Sequence, residues 1–252
     1  MKKLFYLPLM LGAIAVAFTS CNGDDDEPTS ATLLITSTMP QSEAPGINRV
    51  LAATFTDADN TLHTVAYAPF TSLGFSLLLD ATPDASSLER VGSDEVFTIS
   101  NPEARIALIQ DLLGFRSTTG AFVADDHAGW FFRMGYVETE TEFSMTFEVF
   151  VYADRPLSMT GTESGDGWYE TMSVNLVQGW NRVFETFGAR VEGDEMIEFD
   201  IITTTPVSGL TWFFDPSDDD IPVPPAMRVS SQENSVAARV MERVAERRND
   251  RR

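Results

Sequence analysis

The stretch Phe143-Ser144-Met145-Thr146-Phe147-Glu148-Val149-Phe150 alternates apolar and polar side chains until its last residue. Successive side chains of a β-strand point to opposite faces, so a period of two puts Phe143, Met145, Phe147 and Val149 on one side and Ser144, Thr146 and Glu148 on the other. It reads as a strand with one face in a core and one in water. The run extends from Glu142 to Ala153, and Asp154-Arg155-Pro156 turns the chain into a second run, Leu157 to Glu163. Glu163-Ser164-Gly165-Asp166-Gly167 then reads as a hairpin turn into Trp168 to Leu176.

Further short runs of β-branched and aromatic residues are Thr32 to Thr38, Arg49 to Thr56, His63 to Tyr67, Leu73 to Leu79, Trp130 to Tyr136, Asn181 to Phe187, Met196 to Thr204 and Leu210 to Phe214. One helix is predicted: Asn101 can cap, Pro102 suits the first helical position, Ile106, Ile109 and Leu113 recur at helical spacing, and Gly114 ends it. Many short strands and a single helix argue against alternating βαβ units. The predicted class is all-β, an antiparallel β-sandwich or open barrel with one short helix and a C-terminal amphipathic helical tail.

At the N-terminus Lys2 and Lys3 precede an apolar run from Leu4 to Thr19, and Cys21 is followed by Asn22-Gly23-Asp24-Asp25-Asp26-Glu27. This is the layout of a cleavable secretory signal, and it is short for a bilayer span, which needs roughly 20 apolar residues. Cys21 is the sole cysteine of the chain and falls at the cleavage point. The expectation is a lipoprotein: residues 1–20 signal peptide, Cys21 the lipid attachment site, 21–30 a polar tether, 31–225 a β domain and 226–252 a basic tail. Once Cys21 is acylated no thiol remains for disulfides, metal ligation or nucleophilic catalysis. The expected location is the outer membrane or cell surface, with the membrane as a partner through the N-terminal lipid.

The chain carries 38 acidic against 17 basic residues, a net charge of −21, and every basic residue after Lys3 is arginine. Such a surface is suited to concentrated salt, where self-repulsion is screened, and the expectation is a halophilic source. Arginine-favouring codon usage with an acidic surface kept for solubility accounts for the same composition. Nucleic acid is excluded as a partner by charge. The exception is the C-terminus, where Arg228 to Arg252 holds seven arginines and four acidic residues. Val236, Val240 and Val244 align at helical spacing, and Arg239, Arg243 and Arg247 form another row. The tail is suited to dock on its own acidic domain, touch anionic lipid or bind another protein; a solvated end is the alternative.

Three features resemble uncharacterised surface lipoproteins of Bacteroidota-type bacteria. Phe18-Thr19-Ser20-Cys21 resembles their lipobox, and the acidic run after it resembles their surface-export signal. The segment Val151 to Thr162 with Val174-Asn175-Leu176-Val177-Gln178-Gly179-Trp180-Asn181-Arg182-Val183 is similar to a strand, turn and Gly-Trp-Asn step recurring in such proteins. The resemblance implies an extracellular β domain and no catalytic residue. On physical grounds, Gly179 allows a bend and Trp180 buries a large ring whose indole N–H requires an acceptor.

For chemistry the residues offer little. Only His63 and His127 exist, and no Gly-x-Ser-x-Gly elbow supplies a nucleophile. Asp125-Asp126-His127 sets two carboxylates beside an imidazole, yet a zinc site needs ligands that neither a cysteine nor a third histidine provides. The acidic loops Asp57-Ala58-Asp59-Asn60-Thr61 and Asp215-Pro216-Ser217-Asp218-Asp219-Asp220 present hard oxygen ligands, so Ca²⁺ through Asp57 and Asp59 is the one cofactor admitted. Neither loop completes an EF-hand pattern. Among the aromatic residues Trp168 and Tyr169, just after the Gly165-Asp166-Gly167 turn, are the candidate ligand-binding pair. The expected function is a non-catalytic binding module for a glycan or envelope component. The alternatives are a structural envelope protein acting through its tail, or an extracellular glycan hydrolase using paired carboxylates.

Overall fold

The computed structural model describes residues 31–56, 61–109, 111–118, 126–193 and 195–216. The predicted signal peptide, tether and basic tail lie outside the described residues. Fifteen strands follow in order: β1 (Leu33–Ser37), β2 (Arg49–Thr56), β3 (Thr61–Pro69), β4 (Phe75–Leu79), β5 (Glu89–Arg90), β6 (Thr98–Ile99), β7 (Arg105–Ile109), β8 (Leu112–Phe115), β9 (His127–Glu138), β10 (Glu142–Ala153), β11 (Leu157–Gly165), β12 (Trp168–Leu176), β13 (Gly179–Glu192), β14 (Glu195–Thr203) and β15 (Thr211–Asp215). The helical elements among the described residues are single 3₁₀ turns at Gln41–Glu43 and Ala85–Ser87. The all-β expectation holds, as an open sheet not closed into a barrel. Thirteen strands form one branched sheet, and β1 with β4 forms a separate pair.

The predicted helix after Asn101 is absent. A turn closes with the Ala104 N–H donating to the Asn101 carbonyl, and β7 and β8 follow. The apolar residues of Arg105-Ile106-Ala107-Leu108-Ile109 satisfy a period of two as well as helical spacing, and pairing with β10 settles the choice. Asp154 clamps the two strands: its carboxylate accepts from the Arg105 N–H at 2.9 Å while its own N–H donates to the Arg105 carbonyl. Gly114 is a close-packing position, where a Cβ would meet the rings of Phe131 and Phe214 at 3.1 Å.

The register reveals a fork. β9 pairs with β8 through Phe131 and with β10 from Arg133 onward, and β15 pairs along Trp130–Met134 on the opposite edge. β8 and β10 therefore share one edge of β9 in succession. β10 likewise pairs with β9 as far as Glu148 and with β7 from Phe150, while β13 runs along its whole other edge. β9 and β10 part at the Arg133–Glu148 pair, and the consecutive strands β7 and β8 fill the opening. The main core lies there, with Ile109, Leu112, Phe131, Phe150 and Tyr152 from the fork and Ile35, Phe75 and Leu77 from the β1–β4 pair. Phe131 meets Phe70, Phe75 and Phe214 at ring separations of 5.1, 5.7 and 4.9 Å.

A second splaying occurs between β12 and β13, which are consecutive in sequence and not paired; β14 sits between them, parallel to β12 and antiparallel to β13. This pair, with the isolated parallel bridge between Ala31 and Gly179, departs from a purely antiparallel fold. The Gly-Trp-Asn step closes the connection. Gly179 has φ of +100°, and the Asn181 amide donates to the carbonyls of Val177 and Gly179 at 2.8 Å each while its oxygen accepts from the Val177 N–H. Trp180 is 3% exposed, lies edge-on to Tyr152 and donates its indole N–H to the Ala81 carbonyl at 2.9 Å. The acceptor required by the sequence is thus supplied.

The wet face expected for β10 is covered. Ser144 and Glu148 are buried, and the Glu148 side chain, 1% exposed, is held by two guanidinium groups. Arg133 Nη1 donates to it at 2.8 Å from β9, and Arg182 Nη1 donates from β13. Removing one partner of such a buried group leaves uncompensated charge. Glu148→Ala should therefore destabilise the fold by about 3–5 kcal/mol in chemical denaturation. Asp154 gives a pH-dependent prediction. Burial opposes its charge, but hydrogen bonds from Arg155 and the Arg105 N–H, with the charges of both arginines, outweigh this and hold its pKa below the ordinary 3.8. A carboxyl lowered on folding stabilises above its unfolded value and loses that contribution as pH falls through the folded one. Asp154→Asn should be less stable than wild type at pH 7, with the gap closing below about pH 3.8 in unfolding curves.

Candidate functional site

Paired residues of adjacent strands share a face, so the registers place residues across β9, β10, β13, β14, β12 and β11 without ambiguity. One face carries Phe143, Met145, Phe147 and Val149 of β10, then Phe187 and Ala189 of β13. It continues through Glu198 and Asp200 of β14 to Trp168 and Glu170 of β12 and Glu163 of β11. Phe187, Asp200, Glu170 and Glu163 stand in one cross-strand row, and Ala189, Glu198, Trp168 and Gly165 stand in the next. Glu185 precedes Phe187 by two residues on the same face.

Trp168 and the four carboxylates from Glu163 to Asp200 are all half-buried. The Trp168 ring lies against its hairpin partner Gly165, where a Cβ would come within 2.2 Å of the indole Nε1. Only glycine leaves room for the ring to lie flat on the strand. Gly167, at φ of +75°, closes the two-residue turn that sets this register. An aromatic ring and several carboxylates thus share one sheet face at the turn end of the β11–β12 hairpin.

Tyr169 does not share it. As the next residue of the strand it points to the opposite face, stacking on Phe199 at 5.9 Å and 21°. The Arg190 guanidinium covers its ring at 5.5 Å and donates to its hydroxyl at 3.4 Å. The two aromatic candidates cannot act as one platform, and Tyr169 is committed to packing.

The other candidates are placed as follows. Cys21, Asp57 and Asp59 lie outside the described residues, as do Asp125 and the acidic residues 218–220. His63 is half-buried in β3, opposite Thr54. His127 opens β9 between the rings of Phe115 and Trp130, at 5.7 and 4.7 Å. Trp212 donates its indole N–H to the Thr36 carbonyl at 2.9 Å. Among the described residues no three His, Cys, Asp or Glu side chains converge to hold a metal, and no helix is long and apolar enough to cross a membrane.

The acidic row was not anticipated as a site. Its members are dispersed over four strands, and the signal that could have found them is alternation in Trp168-Tyr169-Glu170 and Glu198-Phe199-Asp200 once β12 and β14 are paired in parallel. No protein-family model, curated protein or solved structure matches the chain.

Tyr169 and Trp168 should separate in mutagenesis. Tyr169→Ala removes a stacked, hydrogen-bonded ring and should cost about 2–4 kcal/mol, whereas Trp168→Ala should cost roughly half as much or less, because its half-buried ring lies against a glycine rather than stacked on another ring. Guanidinium unfolding of the two variants checks the order.

Proposed function

We propose that this protein is an exported, lipid-anchored envelope protein whose acidic sheet face binds a glycan, without catalysis. The observation that carries the reading is the placement of Trp168 beside Glu198 and Glu170 on one exposed-edged face. A sugar ring offers an apolar C–H face and a rim of hydroxyl donors. An indole accepts the former by stacking, and carboxylates accept hydrogen bonds from the latter. A surface this acidic suits a neutral ligand rather than an anionic one. Attachment through Cys21 rests on the signal layout, and an acidic, lysine-poor exterior fits work in concentrated salt.

The hydrolase alternative draws on the same row, where Glu170 and Asp200 are direct partners in the parallel β12–β14 pair. Neighbouring carboxylates on one face are the raw material of a retaining glycosidase.

Thermal unfolding of the full chain against polysaccharides, oligosaccharides, haem and Ca²⁺ tests the binding reading, because a ligand at 100 times its Kd stabilises by about 2.7 kcal/mol. The expected result is a shift with a glycan that Trp168→Ala abolishes; a flat panel refutes it. Release of reducing sugar, lost in Glu170→Gln, would instead favour the hydrolase. In cells, Cys21→Ala should move the protein from the membrane to the soluble fraction; retention there would remove the lipid anchor.

A further inference from the structure

The acidic face continues inward into an apolar one. Phe132 and Met134 of β9, Phe143 and Met145 of β10, Phe187 of β13 and Phe213 of β15 form a single cluster. By register all six belong to the same face of the same sheet, and no apolar side chain from another described layer packs with them. Phe132, Met134, Phe143 and Met145 are nevertheless only 0–3% exposed. A one-sided sheet face of large side chains reaches such burial only beneath a cover.

We infer that the basic segment Arg228–Arg252 of this chain is that cover, its valine row on the Phe/Met cluster and its arginine row on the adjoining carboxylates. Charge selects this occupant. In a chain of net charge −21 it is the stretch where arginines outnumber acidic residues, seven to four, and the face it would meet is edged by Glu185, Glu198, Asp200 and Glu170. Geometry permits it. β15 brings the chain to Asp215 while Phe213 already lies in the cluster. The thirteen residues from Asp215 to Arg228 reach up to roughly 43 Å when extended. The Phe/Met cluster from β15 through β9 and β10 to β13 spans three strand spacings, about 14 Å. Val236 to Val244 covers about 12 Å at helical rise, matching that width. The docking does not rest on the glycan reading, but it engages Glu198 and Glu170 of that site, so tail and glycan would compete for those two carboxylates.

Methionine oxidation by hydrogen peroxide, followed per residue by peptide mass spectrometry on the full chain, reads the cover directly. Met134 and Met145 report on this face, and Met39, 6% exposed in the other core, serves as the internal control. Two variants are compared with wild type: Val236→Asp/Val240→Asp/Val244→Asp and Arg239→Glu/Arg243→Glu/Arg247→Glu. Oxidation of Met134 and Met145 should accelerate at least tenfold in both, with Met39 unchanged. Unaltered rates in both variants overturn the inference, as does wild-type protection that is lost on dilution, the mark of a second copy on the face. Equal acceleration of Met39 in the arginine variant overturns it too, because the tail would then act on the whole fold.

Discussion

The fold turns on one buried carboxylate. Glu148 stands at the last residue pair that β9 and β10 share before they part, and its two oxygens take Arg133 from one strand and Arg182 from the next but one. A lone carboxylate there would be untenable, and two guanidinium groups pin three strands at the point where the sheet divides. Arg182 does more: its second Nη donates to the Leu34 carbonyl at 2.7 Å, and two residues along β1 the Thr36 carbonyl accepts from Trp212. Among the described strands β1 pairs with β4 alone, and these side chains occupy its other edge. An edge so occupied is no template for another chain.

From that fork the layering follows. Beyond Glu148 the polar positions of β10 give way to Phe150 and Tyr152, and the space between the diverging strands becomes the main core. β7 and β8 are short because each has only half a strand's length of freed edge to pair with. On the reverse face Val149, Val151 and Ala153 join a second core with Leu157, Val174 and Leu176. The acidic row and Trp168 lie where the sheet extends past both cores, which leaves them half-exposed and able to meet a ligand.

Strand content was legible wherever patterning was strong. β2, β10 and β12 match the sequence reading residue for residue, and the Gly165-Asp166-Gly167 turn and the Trp180 indole acceptor were anticipated. The failures have one cause. The segment from Arg105 to Phe115 carries an apolar pattern compatible with both helix and strand, and the deciding partner, the freed edge of β10, is some 40 residues away. Ser144, Thr146 and Glu148 read as solvent-facing because polarity alone does not distinguish water from two arginines. The candidate site was half-legible for the same reason: Trp168 was found through its turn, but Tyr169 was assigned with it and the carboxylates were not found at all.

By itself, the sequence determined the fold class, most of the strands and the turn chemistry at glycines, because these depend on residues close in the chain. Tertiary structure alone decided the fork, the parallel β12–β14 pair, the fate of the polar face of β10 and which carboxylates stand beside Trp168. Each of these depends on which strand edges meet, and pairing energy is collected between residues whose separation in sequence carries no local signal.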